Sequence, residues 1–399
     1  MTAIHNVIET SLPVIRVAVI GHSFMGTIHT QAWQSAPRFF DIGADITVVA
    51  VCGRDEVAAR AFARRFDIES VETDWRAVIL REDVDVVDIC VPGRLHADIA
   101  IAALEAGKHV LCEKPLANTL AEAEAMNAAA TAASERGIRS MVGFSYRRTP
   151  ALAYARELIA DGRLGDIRHI RALYLQDWIV DPNFPLVWRL VKEEAGSGAL
   201  GDLGAHLIDL AEFLTAHAIT GVSAVTETFI TTRPLPGESS GLSATATAER
   251  GEVTVDDAAI AIARTDRGAL LTLEATRFAT GRKNALRIEI NGSQGSLAFD
   301  FERLNELEFA DATVPSAEGG FRRILVTEPE HPYAGAWWPA GHGLGYEQLF
   351  VHQAKDFADG IVRENTLSPS FADGLRAQRV LDAIERSAES GSRWTSVHQ

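Results

Sequence analysis

The sequence predicts an α/β chain in two parts: an N-terminal doubly wound parallel sheet, and a C-terminal α+β domain built on a large, mainly antiparallel open sheet. Three observations predict it. Short apolar runs alternate with amphipathic stretches over the first 145 residues. Beyond about residue 150 the pattern changes to apolar/polar alternation punctuated by glycine turns. A length of 399 residues also exceeds one ordinary domain. The expected division is 14–145 and 146–399.

The runs VIRVAVIG (14–21), DITVVAVCG (45–53), VDVVDICVP (84–92), KHVLCE (108–113) and IRSMVGF (138–144) are β-branched and apolar without clean alternation. That is the signature of strands buried on both faces. Helical stretches at 24–35, 55–66, 94–106 and 119–136 separate them, the last with Asn118–Thr119 as its cap. VETDWRAVIL supplies a short third strand and its helix. Strands joined by helices imply right-handed crossovers and hence a doubly wound sheet.

In the second part a helix at 151–161 precedes DIRHIRALYLQ (166–176). The runs at 221–230, 256–266, 268–279, 285–293 and 295–301 then alternate and read as one antiparallel sheet, its second face available for assembly. Residues 310–344, rich in Gly, Pro and aromatics, read as loop, and helices at 345–362 and 371–389 finish the chain.

Composition excludes several classes. With 47% hydrophobic and 23% charged residues the chain buries a sizeable core. A net charge of −16 argues against nucleic acid or an anionic membrane as partner. No apolar run spans a bilayer, and MTAIHNVIETSLP lacks the basic and apolar regions of a signal peptide, reading instead as a short extension. Cys52, Cys90 and Cys112 each close a strand-like run without metal-ligand spacing, as expected of buried thiols in a reducing compartment. A cytoplasmic location follows as the expectation.

VAVIGHSFMG (17–26) sets a glycine turn between the first strand and a helix, the context of a dinucleotide fingerprint. Gly21 makes the tight turn and Gly26 permits close packing of helix on sheet. Ser23 stands where the middle glycine belongs, and Phe24 and Met25 complete the turn. The helix start offers free N–H groups and positive dipole to a pyrophosphate. At the end of the second strand Gly53 occupies the place of the acid that binds a ribose diol, and Arg54 follows. Arginine suits a 2′-phosphate, so NAD and NADP both remain open. Pro92, His96 and Glu113, at and after later strand ends, join the expected cofactor set.

HVLCEKPLANT (109–119) puts Lys114 at the carboxyl edge of the parallel sheet, where ligands of open α/β folds bind. The Lys114–Pro115 bond is open to either isomer, and Glu113 is a candidate to orient the lysine. In GSGALGDLGAHLIDLAEF (196–213) Asp202 and His206 lie four apart, on one face of a helix, with Asp209 three further on. A carboxylate beside an imidazole holds a general base ready. No third His or Cys supports a metal at that pair.

The strand–GHSFMG–helix start, HADIAIAALEAGKHVLCEKPLANT (96–119) and GALGDLGAHLIDLAEFL (198–214) together resemble the Gfo/Idh/MocA oxidoreductases, over most of the chain. The resemblance implies an N-terminal Rossmann domain, a C-terminal sheet that makes homodimers or homotetramers, and NAD(P)-linked hydride transfer at a sugar, inositol or related carbon. Carried over, Lys114 binds the reacting hydroxyl and the cofactor side of the site, and Asp202 and His206 complete a catalytic trio. QDWIVDPNFPLVWRL (176–190) is similar to the levoglucosan dehydrogenase-like branch. Asp177, Trp178, Trp188 and Arg189 are side chains that a sugar site uses. Tyr146 and Arg147 follow the last parallel strand, and His342 lies in the long loop; all three are further substrate-binding candidates. Ser23 and Gly53 depart from the family fingerprint. Two other readings stand beside a dehydrogenase: an NAD-dependent glycosidase working by transient oxidation, and a non-catalytic dinucleotide-binding scaffold.

Overall fold

The computed structural model describes residues 12–240 and 243–397, so the extension read at the start of the chain lies almost wholly outside the described residues. The first sheet has six strands: β1 Val14–Ile20, β2 Asp45–Cys52, β3 Ser70–Glu72, β4 Val86–Ile89, β5 His109–Cys112 and β6 Ser140–Val142. All pair in parallel, in the order β3-β2-β1-β4-β5-β6. The crossovers are α1 Phe24–Phe39, α2 Glu56–Arg65, α3 Trp75–Ile79, α4 His96–Glu105 and α5 Leu120–Ser134. Strand order reverses between β1 and β4, which opens a crevice at the carboxyl ends of those strands. Thr119, not Asn118, caps α5, through a reciprocal capping box with Glu122.

After α6 (Pro150–Ala160) comes β7 (Ile167–Leu175), then the short α7 (Lys192–Ala195) and α8 (Ala205–Thr215). The strands β8 Ile219–Glu227, β11 Ala258–Thr265, β12 Leu270–Thr276, β13 Ala285–Gly292, β14 Gly295–Asp300, β15 Glu306–Asp311, β16 Arg322–Leu325 and β17 Thr395–Ser396 join β7 in a nine-stranded sheet. It is mainly antiparallel, with β7 and β12 the parallel pair. Two features differ from the sequence reading. Strands β9 (Thr232–Ser240) and β10 (Ser243–Glu252) form a separate two-stranded antiparallel sheet. Residues 310–344 are not all loop, because β16 pairs with β15 inside that stretch. As an edge strand whose side chains are mostly exposed, β16 leaves no alternation to read.

The final helices, α9 (Tyr346–Val362) and α10 (Phe371–Glu389), return to the parallel sheet. Phe357 of α9 meets Trp33 of α1 edge to face, and Gly374 of α10 sits against Leu116 and Val142. One continuous core therefore runs from the first sheet into the second. Cys52, Cys90 and Cys112 are free and buried in it. Among the described residues no helix is long and apolar enough to cross a membrane.

Candidate active site

The glycine turn after β1 fits a dinucleotide. Gly21 holds a φ of +111°, and a Cβ on Gly26 would collide with the Gly21 carbonyl oxygen. Only glycine lets helix and turn approach this closely. Ser23 is exposed at the start of α1 and makes no side-chain cap, so its hydroxyl and the first-turn amides face outward. Met25 is half-buried, while Phe24 is exposed and stacks on Tyr346. A Cβ on Gly53 would strike the His22 ring, which explains why no acid stands there. Arg54 is exposed, and Asp55 caps α2 by accepting from the Ala58 amide at 3.0 Å.

Lys114 follows β5, and its bond to Pro115 is cis. Its Nζ donates to the Asp202 backbone carbonyl at 2.8 Å and to Asp202 Oδ1 at 3.0 Å. Asp202 belongs to a π-helical turn, Leu200–Gly204, that leads into α8. Such widened turns recur at functional sites because they re-aim one side chain without ending the helix. Burial opposes the Asp202 charge, but Lys114, Arg277 and Arg189 hold its carboxyl well below the usual carboxylate range.

His206 stands in the first turn of α8, buried, with its ring stacked on Tyr146 at 4.2 Å and Nδ1 without a hydrogen-bond partner. Burial, reinforced by the positive charge of Lys114, keeps its pKa well below 6.5, so the ring is a neutral base. The Tyr146 hydroxyl shares a 2.7 Å hydrogen bond with Tyr174, whose hydroxyl donates to Asn284 at 2.6 Å. Burial pushes the Tyr146 phenol up to about 12.

Several expected residues sit elsewhere. Asp209 does not extend the Asp202–His206 face; its carboxylate takes both the Nε and Nη2 of Arg147, at 2.8 and 2.6 Å. Arg147 is itself buried and holds Ser368, so it is a structural ion-pair partner rather than a free fork for sugar. Asp177 accepts from the Gly281 amide and Lys283, tying a loop. His342 is exposed and bonded to the Pro339 carbonyl. The ring nitrogens of His96 face the carbonyls of Val91 at 2.9 Å and Pro115 at 3.0 Å, so this side chain braces the turn after Lys114 instead of reaching out. Pro92 is half-buried at the start of the short helical turn before α4. Glu113 is buried and faces His29 at 3.1 Å, not Lys114.

Arg277 was not anticipated. It is buried, with Nη2 3.2 Å from Asp202 Oδ2 and donating to the Gly198 carbonyl at 2.7 Å. Its guanidinium lies over Trp178 and donates to the Arg189 carbonyl at 3.3 Å. Arg189 in turn stacks over Trp188 at 4.3 Å. Trp178, Trp188 and Arg189 are thus gathered around Asp202 through Arg277. The signal was available: Leu271, Leu273 and Ala275 alternate inward along β12, and continuing by two reaches Arg277.

The chain matches the oxidoreductase family with NAD-binding Rossmann fold over residues 15–144 and the GFO/IDH/MocA C-terminal domain over 152–298. It is 44% identical over 393 residues to levoglucosan dehydrogenase of Pseudarthrobacter phenanthrenivorans, covering 96% of this chain and 98% of that protein. A crystal structure of an oxidoreductase domain protein from Kribbella flavida superposes with a TM-score of 0.92 at 57% identity, over 97% of this chain and 100% of that one. A levoglucosan dehydrogenase complexed with NADH and levoglucosan gives a TM-score of 0.90 at 42% identity, over 97% and 100%. With a glycine turn after β1 that fits a dinucleotide and Lys114 held on Asp202 in the turn before His206, the chain belongs to the Gfo/Idh/MocA family of oxidoreductases, with an NAD-binding Rossmann domain.

Proposed function

We propose that the chain oxidises a secondary hydroxyl of a sugar, with a levoglucosan-like anhydrosugar preferred over free monosaccharides and inositols, and NAD preferred over NADP. The observation that carries this reading is the convergence of Lys114, Asp202 and neutral His206 at the carboxyl edge of the parallel sheet. The similarity to a relative solved with NADH and levoglucosan supports the substrate class and the cofactor.

The bound nicotinamide supplies the hydride acceptor. His206 takes the proton of the sugar hydroxyl, since its ring is held neutral. Lys114 stabilises the alkoxide that develops on that oxygen, by charge and hydrogen bond. Asp202 fixes Lys114 through two acceptors, and Arg277 fixes Asp202 from behind. Tyr146 covers one face of the His206 ring and limits its rotation. The aromatic faces of Trp178 and Trp188 suit the C–H patches of a pyranose.

The same reading includes a homodimer or homotetramer through the open face of the second sheet. Val225, Ile260, Ile262 and Leu270 are all about half exposed there, and Ile260 pairs directly across from Val225. Buried free thiols agree with a reducing, cytoplasmic setting.

The test is absorbance of the reduced nicotinamide with levoglucosan, aldohexoses, inositols and glucosides, with NAD and NADP separately. Net NADH formation on levoglucosan supports the reading. Hydrolysis of a glucoside without net NADH favours the glycosidase instead, and silence throughout favours the scaffold.

A further inference from the structure

Behind the strand that presents Lys114 lies a buried polar chain that the mechanism above does not use. Trp33 Nε1 donates to Asp88 Oδ2 at 2.7 Å. His29 Nδ1 lies 2.9 and 3.0 Å from the two Asp88 oxygens, and its Nε2 lies 3.1 Å from Glu113 Oε1. Both His29 and Asp88 are essentially inaccessible, and Glu113 is nearly so. Three elements of the first sheet and its flank therefore meet at one imidazole: α1, β4 and the end of β5. Phe350 of α9 packs on the ring at 5.4 Å, and Cys90 approaches Asp88 at 3.6 Å.

A neutral histidine carries one N–H, so with a carboxylate oxygen at each nitrogen one contact would set lone pair against lone pair. Only the doubly protonated ring donates at both ends. Burial works against that charge, but the Asp88 carboxylate overrides it and holds the pKa well above 6.5. His29, Asp88 and Cys90 are also spaced closely enough to ligate a metal. Asp88 is already occupied by Trp33 and His29, so hydrogen bonding accounts for the cluster without an ion.

The far end of the chain is Glu113, the residue before Lys114. Its carboxyl is confined on the other side as well, because a Cβ on Gly143 would strike Oε1. We propose that His29 is a positioning residue for Lys114: clamped between Asp88 and Glu113, it fixes the Glu113 side chain and with it the backbone from which Lys114 reaches Asp202. This rests on Lys114 acting at the substrate as described above. A misplacement on the order of 1 Å at a reacting group costs up to about 100-fold in rate, so the clamp has kinetic consequence without touching substrate.

The test uses His29→Gln in the full chain, with Asp88→Asn as comparison. Asn at position 88 still accepts from Trp33 and offers its amide N–H to Nδ1. That leaves Nε2–H donated to Glu113, so Asp88→Asn holds kcat near wild type. His29→Gln loses about 10- to 100-fold in kcat, with the sugar KM and NADH affinity little changed. Reductive methylation with formaldehyde and cyanoborohydride, read by peptide mass spectrometry, accelerates several-fold at Lys114 and stays unchanged at Lys192. A folded His29→Gln protein with normal kcat and normal Lys114 labelling overturns the proposal. Should His29→Gln not accumulate folded, Glu113→Ala removes the other end of the same bond and must show the same kcat loss and labelling change; normal values overturn the proposal. If the wild type turns over no sugar, the functional reading fails, and the labelling difference alone decides whether His29 positions Lys114.

Discussion

Lys114 holds Asp202 by two acceptors at once, the side-chain Oδ1 and the residue's own carbonyl oxygen, at 3.0 and 2.8 Å. The pair joins the end of β5 in the first sheet to the turn before α8, 88 positions further along the chain. A lysine so placed is aimed, and its removal has a defined signature. Lys114→Ala lowers kcat by about 10²- to 10³-fold, the range for loss of one preorganised transition-state donor. NADH affinity, followed by nucleotide fluorescence, changes little. Near-normal turnover would remove Lys114 from the mechanism.

Arg277 is the second arm on Asp202. Arg277→Lys keeps the positive charge but cannot reach Asp202 Oδ2 and the carbonyls of Gly198 and Arg189 together. Hydrogen bonds to charged groups contribute about 1.5–3 kcal/mol each, so kcat/KM falls by about 10-fold or more while the protein still folds. Steady-state kinetics beside a melting curve separate the two effects. A variant with wild-type kcat/KM would show that Lys114 alone suffices to hold Asp202.

His206 sets a pH expectation with a definite sign. Its folded pKa lies below 6.5, so the base is available at neutral pH and the acid limb of kcat/KM that it controls falls below 6.5. Between the two values the unfolded chain binds the extra proton, so this histidine's contribution to stability is present above 6.5 and is lost as pH falls. His96, His109 and His352 act in the same direction. The measurement is therefore a difference, wild type against His206→Asn, in the pH dependence of kcat/KM and of unfolding. An acid limb above 6.5 that vanishes in the variant would contradict a buried neutral base.

Asp209 tests the corrected side of the helix. Removing one partner of a buried ion pair costs about 3–5 kcal/mol, so Asp209→Ala lowers the melting temperature markedly by stranding Arg147. The folded fraction keeps its kcat. A variant of normal stability and low kcat would return Asp209 to the catalytic face.

Gly53 tests the nucleotide edge. Gly53→Ala forces the His22 ring aside, and affinity for NADH drops by about 10-fold at unchanged sugar KM. Equal NADH affinity in variant and wild type would mean that the His22 ring yields freely.

The parallel sheet was legible because its strands are apolar on both faces and its helices are separated by glycine, and Lys114 was legible because it follows such a strand. The Asp202–His206 reading presumed a straight α-helix, and the π turn at 200–204 that leads into α8 has no marker in residue type. Arg147 and Asp209 misled for one reason. A charge near a cleft reads the same in sequence whether it faces solvent or another charge, and here they face each other. His29 lay on the buried face of α1, where a lone histidine reads as core, and its two carboxylate partners are 59 and 84 positions away.

The return of α9 and α10 to the first sheet carries a consequence for how the chain is divided. The β6 strand donates a main-chain hydrogen bond from Val142 N–H to the carbonyl oxygen of Pro369, and Trp33 is fully covered with Phe357 against it. Cutting after residue 145 would bare an aromatic flank and leave that edge without its acceptor. The nucleotide-binding half is thus a unit of topology whose buried flank is completed by the last two helices. A graft or truncation that honours its sequence limits keeps those contacts by carrying α9 and α10 along with it.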